Sequence, residues 1–108
     1  MRGLYSSGWR KHKRDSSHKE VADALAELGA SVRDISMVGD GLGDLLVGFC
    51  NVNFIIEVKS ESGSLEESQE EFARDWRGRK PILIRNAKQA RDWYLRTRRD
   101  LTGHRPEV

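Results

Sequence analysis

The chain has 108 residues, 37% of them hydrophobic and 33% charged, with one cysteine and a formal net charge of +2. This suits one domain with a modest core. It excludes a disordered chain, an internal disulfide and a membrane-spanning segment, because no apolar run approaches about 18 residues. The small net charge conceals a segregation: residues 1–19 carry net +5, residues 20–73 net −10 and residues 74–108 net +7. Carboxylates gathered around a cation, between basic flanks that hold a polyanion, give such a pattern; so do ordinary solvated helix faces.

Residues 1–15 form a basic arm centred on Arg10, Lys11, Lys13 and Arg14, with no apolar period. They either track phosphates or form an ordinary soluble basic tail, and Trp9 among them either stacks on a base or packs on the sheet. The first residues lack the apolar stretch of a signal peptide, and a lone cysteine points to the cytosol. Ser17 with Glu20 three residues on has capping-box spacing, and Val21, Ala24, Leu25 and Leu28 follow at helical period up to Gly29. A short strand is expected over 31–36, then a glycine-rich loop over 39–43.

Leu45 to Phe49 reads as a buried strand, Asn51-Val52-Asn53 as a turn and Phe54 to Lys59 as the partner strand of an antiparallel hairpin. Cys50, lying in this apolar stretch, reads as a buried inert thiol. On the second strand Phe54, Ile56 and Val58 share one face and Ile55, Glu57 and Lys59 the other. Ser64 with Glu67 predicts a helix to about Arg77, with Leu65, Phe72, Ala73 and Trp76 as its buried stripe. Residues 81–85 predict a last strand. Asn86 caps a final helix that turns Ala87, Ala90, Trp93 and Tyr94 to the core and Lys88, Arg91, Arg96, Arg98 and Arg99 to solvent. The order is α-β-β-β-α-β-α, a small mixed α/β sheet. One domain spans 16–100, between the arm and a frayed tail over 101–108.

The chemistry lies on the hairpin. In an antiparallel pair Asp44, at the start of one strand, lies close to Glu57, near the end of the next. Two carboxylates can then share one hard divalent cation, with the backbone carbonyl of Val58 as a third oxygen. Lys59 falls on the face of Glu57, where an ammonium can orient a water or stabilise charge on a phosphate. Arg74, Arg77, Arg79 and Lys80 cluster around a turn as a phosphate-contacting patch. Asp40 sits between glycines, where turn chemistry also accounts for it. His12, His18 and His104 show no ligand spacing.

The stretch Gly41-Leu42-Gly43-Asp44-Leu45-Leu46-Val47-Gly48, followed by Ile56-Glu57-Val58-Lys59, Leu65 and Gln69, resembles the PD-(D/E)XK nuclease superfamily. Within it the chain is similar to the small virus-type replication-repair nuclease (VRR-NUC) group and to related Holliday-junction resolvases. The resemblance runs from about Ser17 to Ala90 and implies an αβββαβ restriction-endonuclease-like core. It implies a magnesium-dependent DNA endonuclease, with manganese able to substitute, acting on branched DNA and leaving a 5′ phosphate. A nicking or non-specific duplex nuclease, and a non-catalytic nucleic-acid-binding module of the same fold, are the alternatives. By the same resemblance Asp44 and Glu57 hold metal and Lys59 is the lysine of the Glu-x-Lys motif. Glu20, which the capping box also explains, completes the metal site, and Gln69 stands beside the lysine. Gly43 departs from the proline usual before the aspartate, which suggests a looser loop. Expected partners are DNA, a second copy in a homodimer and a replication or repair protein such as a helicase, with no membrane. The expected setting is the cytoplasm of a bacterial or phage-infected cell.

Overall fold

The hairpin at residues 45–58 sets the frame. In the computed structural model, which describes residues 16–103, strand β2 (Leu45–Phe49) pairs antiparallel with β3 (Val52–Val58). Phe49 lies opposite Val52, so the connection is the two residues Cys50 and Asn51. Both have positive φ, 54° and 66°, the conformation of the type I′ turn that matches the twist of a hairpin. The turn therefore precedes the expected Asn51-Val52-Asn53, and Val52 and Asn53 already belong to β3. Cys50 is consequently exposed at the hairpin tip, not buried as its apolar neighbours suggested.

Strand β1 (Ser31–Asp34) flanks β2 antiparallel, and β4 (Ile82–Ile84) flanks β3 in parallel. The four-stranded mixed sheet has the order β1-β2-β3-β4. β1 stops two residues before the expected end because Asp34 Oδ1 accepts from the backbone N–H and hydroxyl of Ser36, at 2.8 and 2.7 Å, bending the chain. The parallel β3–β4 pair needs a crossover, and helix α2 (Glu67–Asp75) supplies it. The observed element order is the one read from the sequence.

One face of the sheet is the core. Val32, Leu45, Val47, Phe54, Ile56, Val58 and Ile84 point to it and are buried. Helices α1 (Ser16–Glu27) and α3 (Ala87–Thr102) cover them with Val21, Leu25, Ala90, Trp93 and Tyr94. Each large apolar side chain buried here contributes about 1.5–3 kcal/mol. Phe49, Phe54 and Trp93 meet with ring centroids 5.0–5.5 Å apart. Tyr94 donates its hydroxyl to the carbonyl of Leu28 at 3.1 Å, tying α3 to the end of α1. His18 is buried on α1. Asn86 caps α3 as expected, its side chain accepting from Gln89 N at 2.9 Å. Two boundaries differ from expectation. Ser17 lies inside α1 and does not cap it. α3 continues to Thr102, and Leu101 packs against the core where a frayed tail was expected. The basic arm at residues 1–15 lies outside the described residues. Among the described residues no helix is long and apolar enough to cross a membrane.

The other face belongs to α2, which buries none of its own residues. The expected stripe of Leu65, Phe72, Ala73 and Trp76 is not core: Phe72 and Trp76 stack on one another at the surface, and Trp76 is 43% exposed. α2 is held by the glycine loop. A Cβ at Gly41 would lie 2.7 Å from the carbonyl carbon of Ser68, in backbone that cannot yield, and its φ is +75°. Gly41→Ala is expected to lower stability by about 2 kcal/mol or more and to loosen α2. Thermal unfolding and hydrogen exchange of the α2 amides would check this; unchanged protection of α2 would refute it.

Candidate active site

The register of the hairpin makes the site. Leu45 lies opposite Ile56, so one step further along the ladder Asp44 faces Glu57. The Asp44 backbone N–H donates to the carbonyl of Ile56 at 3.0 Å, and its own carbonyl accepts from Ile35 N at 2.9 Å. Its carboxylate is fixed as well: Oδ2 accepts from the backbone N–H of Val58 at 2.8 Å. Val58, expected to offer its carbonyl to a cation, thus positions the aspartate through its amide.

Glu57 alternates out of the core face yet is only 3% exposed, because α2 covers it. Gln69 Nε2 donates to Glu57 Oε2. The other end of that amide is tied down, since Gln69 Oε1 accepts from Glu66 N at 2.8 Å. Glu66 is the N-cap of α2 and forms a reciprocal capping box with Gln69. The expected Ser64–Glu67 box is therefore shifted by two residues at its first position. The shift brings Glu66 to the site, a residue that sequence reasoning missed; its signal was the Glu66-x-x-Gln69 spacing.

Burial pushes the Glu57 carboxyl up to about 8 from 4.5, reinforced by the Asp44 charge and hydrogen bond and by Glu66, and opposed by the Lys59 ammonium. Desolvation disfavours the anion, and a second carboxylate disfavours it further. Glu57 and Asp44 thus form a pair short of positive charge. This tests the fit of a divalent cation: hard oxygen donors from two strands meet with an excess of negative charge and a flanking cation that only partly offsets it. Asp44 and Glu57 are the residues placed to hold one. Among the described residues no three His, Cys, Asp or Glu side chains form a metal-holding group. Glu20 is exposed on α1 and is not among the groups acting on Glu57; the structure does not bring it to the pair.

A cleft of about 270 Å³ opens beside Asp44, lined by the 39–43 loop, Glu66, Ser68 and Gln69. Asp40 lies in its wall. Gly43 is required here: its φ is +135°, and a Cβ would lie 2.5 Å from Ile55 Cγ2. Proline, fixed near −65°, cannot take that conformation. The loop is packed, not loose. On the far side, Arg85 Nη1 donates to the carbonyls of Ser60 and Gly63, both at 2.6 Å, pinning the segment that follows Lys59. Asn86 Nδ2 donates to Glu61 Oε2 at 2.7 Å. Arg85 is a second residue the sequence did not single out.

The basic patch divides. Arg74 and Arg77 are exposed. Lys80 donates to the carbonyls of Arg74 and Trp76 at 3.0 and 2.6 Å, closing the end of α2. Arg79, itself exposed, lies with its guanidinium over the Phe54 ring, 5.1 Å from the centroid. Arg10, Lys11, Lys13 and Arg14 lie outside the described residues. No protein-family model matches the chain, and comparisons with curated proteins and with solved structures returned no match.

Proposed function

We propose that the protein is a magnesium-dependent DNA endonuclease of the PD-(D/E)XK type that acts on branched DNA. The observation that carries this reading is the juxtaposition of Asp44 and Glu57 across the β2–β3 ladder, with Lys59 on the same face. The element order and the mixed sheet are compatible with the restriction-endonuclease-like core that the motif resemblance implies.

In this reading Asp44, just before β2, and Glu57 on β3 would hold magnesium or manganese, which would supply a water of lowered pKa and polarise the phosphoryl oxygen. Lys59 orients the attacking water and stabilises charge developing on the phosphate. Water oxygen bonds to phosphorus, the bond to the 3′ oxygen breaks, and the products are a 3′ hydroxyl and a 5′ phosphate. Gln69 holds the Glu57 carboxyl in place, and the Val58 amide does the same for Asp44. A two-fold homodimer would present two such sites to a junction, in the cytoplasm where a replication or repair partner could deliver the substrate.

The test is cleavage of labelled four-way junction, flap, single strand and linear duplex in magnesium, manganese and EDTA. Metal-dependent cutting with the branched substrates preferred is expected. Equal cutting of linear duplex would replace branch selectivity with a duplex nuclease. Gel shifts in EDTA without cutting in either metal would make the protein a binding module.

A further inference from the structure

Three hollows on the α2 side share walls. The cleft beside Asp44 shares Asp40 and Ser68 with a second hollow of about 270 Å³. That one shares Asp75 and Trp76 with a third, of about 680 Å³, closed by Arg74, Arg77 and Lys80. Together they make one groove along α2, from Asp44 and Gln69 to a cationic end.

The middle of the groove is acidic, through Asp40, Glu71 and Asp75, and repels phosphate. A strand crossing it must present bases there and be held by its backbone only at the ends. Trp76 stands where the acidic stretch meets the cations. Its indole is 43% exposed and is backed by Phe72, with centroids 4.9 Å apart and planes at 17°. Its backbone is fixed on both sides: the N–H donates to the Phe72 carbonyl at 2.9 Å, and the carbonyl accepts from Lys80. A braced, exposed aromatic ring beside arginines is a platform for a nucleobase, whose stacking is sequence-tolerant. Along the helix Trp76 is about 10 Å from Gln69, about three stacked nucleotide steps at 3.4 Å each.

We propose that Trp76, backed by Phe72, stacks on an unpaired base of the bound strand about three nucleotides from the cut phosphate, while Arg74 and Arg77 hold the adjoining backbone. The placement of the cut rests on the nuclease reading. The stacking adds what that reading leaves open: the substrate must offer single-stranded DNA close to the cut, as a flap or an opened branch does and a closed duplex does not.

The experiment uses the full chain and flap oligonucleotides carrying iododeoxyuridine at each position flanking the cut, irradiated in EDTA, with the crosslinked residue mapped by mass spectrometry. Cutting of the same oligonucleotides in magnesium and manganese is measured in parallel. A crosslink to Trp76 from one or two adjacent positions is expected. So is binding about five- to hundredfold weaker in Trp76→Ala and near wild type in Trp76→Phe. Trp76 is half exposed and α2 buries nothing, so the alanine variant should fold, and circular dichroism would verify it. Cutting without a crosslink at Trp76 would overturn the stacking and leave the nuclease. A crosslink at Trp76 without cutting in either metal would support the platform and remove the nuclease. Binding as weak in Trp76→Phe as in Trp76→Ala would overturn aromatic stacking.

Discussion

Glu57→Gln is expected to abolish metal-dependent cleavage, by about 10³-fold or more, while leaving the fold and the binding of DNA in EDTA intact. The expectation follows from what surrounds the carboxyl. Glu57 is 3% exposed, accepts from Gln69 and is hydrogen-bonded to Asp44. An amide of the same shape can accept from Gln69 and donate to Asp44, so no buried polar group is orphaned. What it cannot supply is the anionic oxygen a hard cation requires. Glu57→Ala is the poorer probe, because it leaves both Asp44 and Gln69 without their partner and opens a cavity; its loss of activity could follow from lost structure. Single-turnover cleavage with circular dichroism on the same samples is the measurement. Glu57→Gln cutting within about tenfold of wild type would remove Glu57 from the metal site and the proposal with it.

The hairpin and the pairing of Asp44 with Glu57 across it were legible because two periodicities agree there. Alternation along 54–59 separates Phe54, Ile56 and Val58 from Glu57 and Lys59, and antiparallel pairing then leaves Asp44 one available partner. Helices with strong apolar period, α1 and α3, were legible for the same reason. The errors cluster where the chain is set by contacts distant in sequence. Ser64 outranks Glu66 as a cap by intrinsic preference. Glu66 takes the role because Gln69, turned toward Glu57, can close the capping box only from that register. Cys50 looked buried because its neighbours are apolar, but a two-residue connection between Phe49 and Val52 forces positive φ on whatever stands there. Phe72 and Trp76 looked like core because aromatic residues usually are; α2 buries none of its residues, and the two rings stack on each other. Charge alone did not show that Arg79 also lies over the Phe54 ring or that Lys80 also closes the carbonyls at the end of α2; both remain exposed.

Without divalent metal, the protein is expected to lose stability as pH rises from about 5 toward 9, and Glu57→Gln to abolish most of that loss. The sign follows from the Glu57 carboxyl, whose pKa stands at about 8 in the fold against 4.5 otherwise. Between those values the folded state binds a proton that the unfolded chain has released, so stability is greatest below the lower value and declines through the upper one. The slope can reach about 1.4 kcal/mol per pH unit. The same linkage runs through the cation. Binding at the pair favours ionised Glu57, so it must expel the proton that Glu57 holds. Magnesium affinity should therefore climb up to about tenfold per pH unit and level off above pH 8, with one proton released per ion bound at neutral pH. Melting temperatures of wild type and Glu57→Gln, with and without magnesium, measure the first effect; calorimetry in two buffers of different ionisation enthalpy measures the second. Parallel wild-type and Glu57→Gln curves would mean that Glu57 is already ionised in the fold. Magnesium that stabilises the wild type by the same amount at pH 6 and pH 8 would mean that the ion does not bind between Asp44 and Glu57.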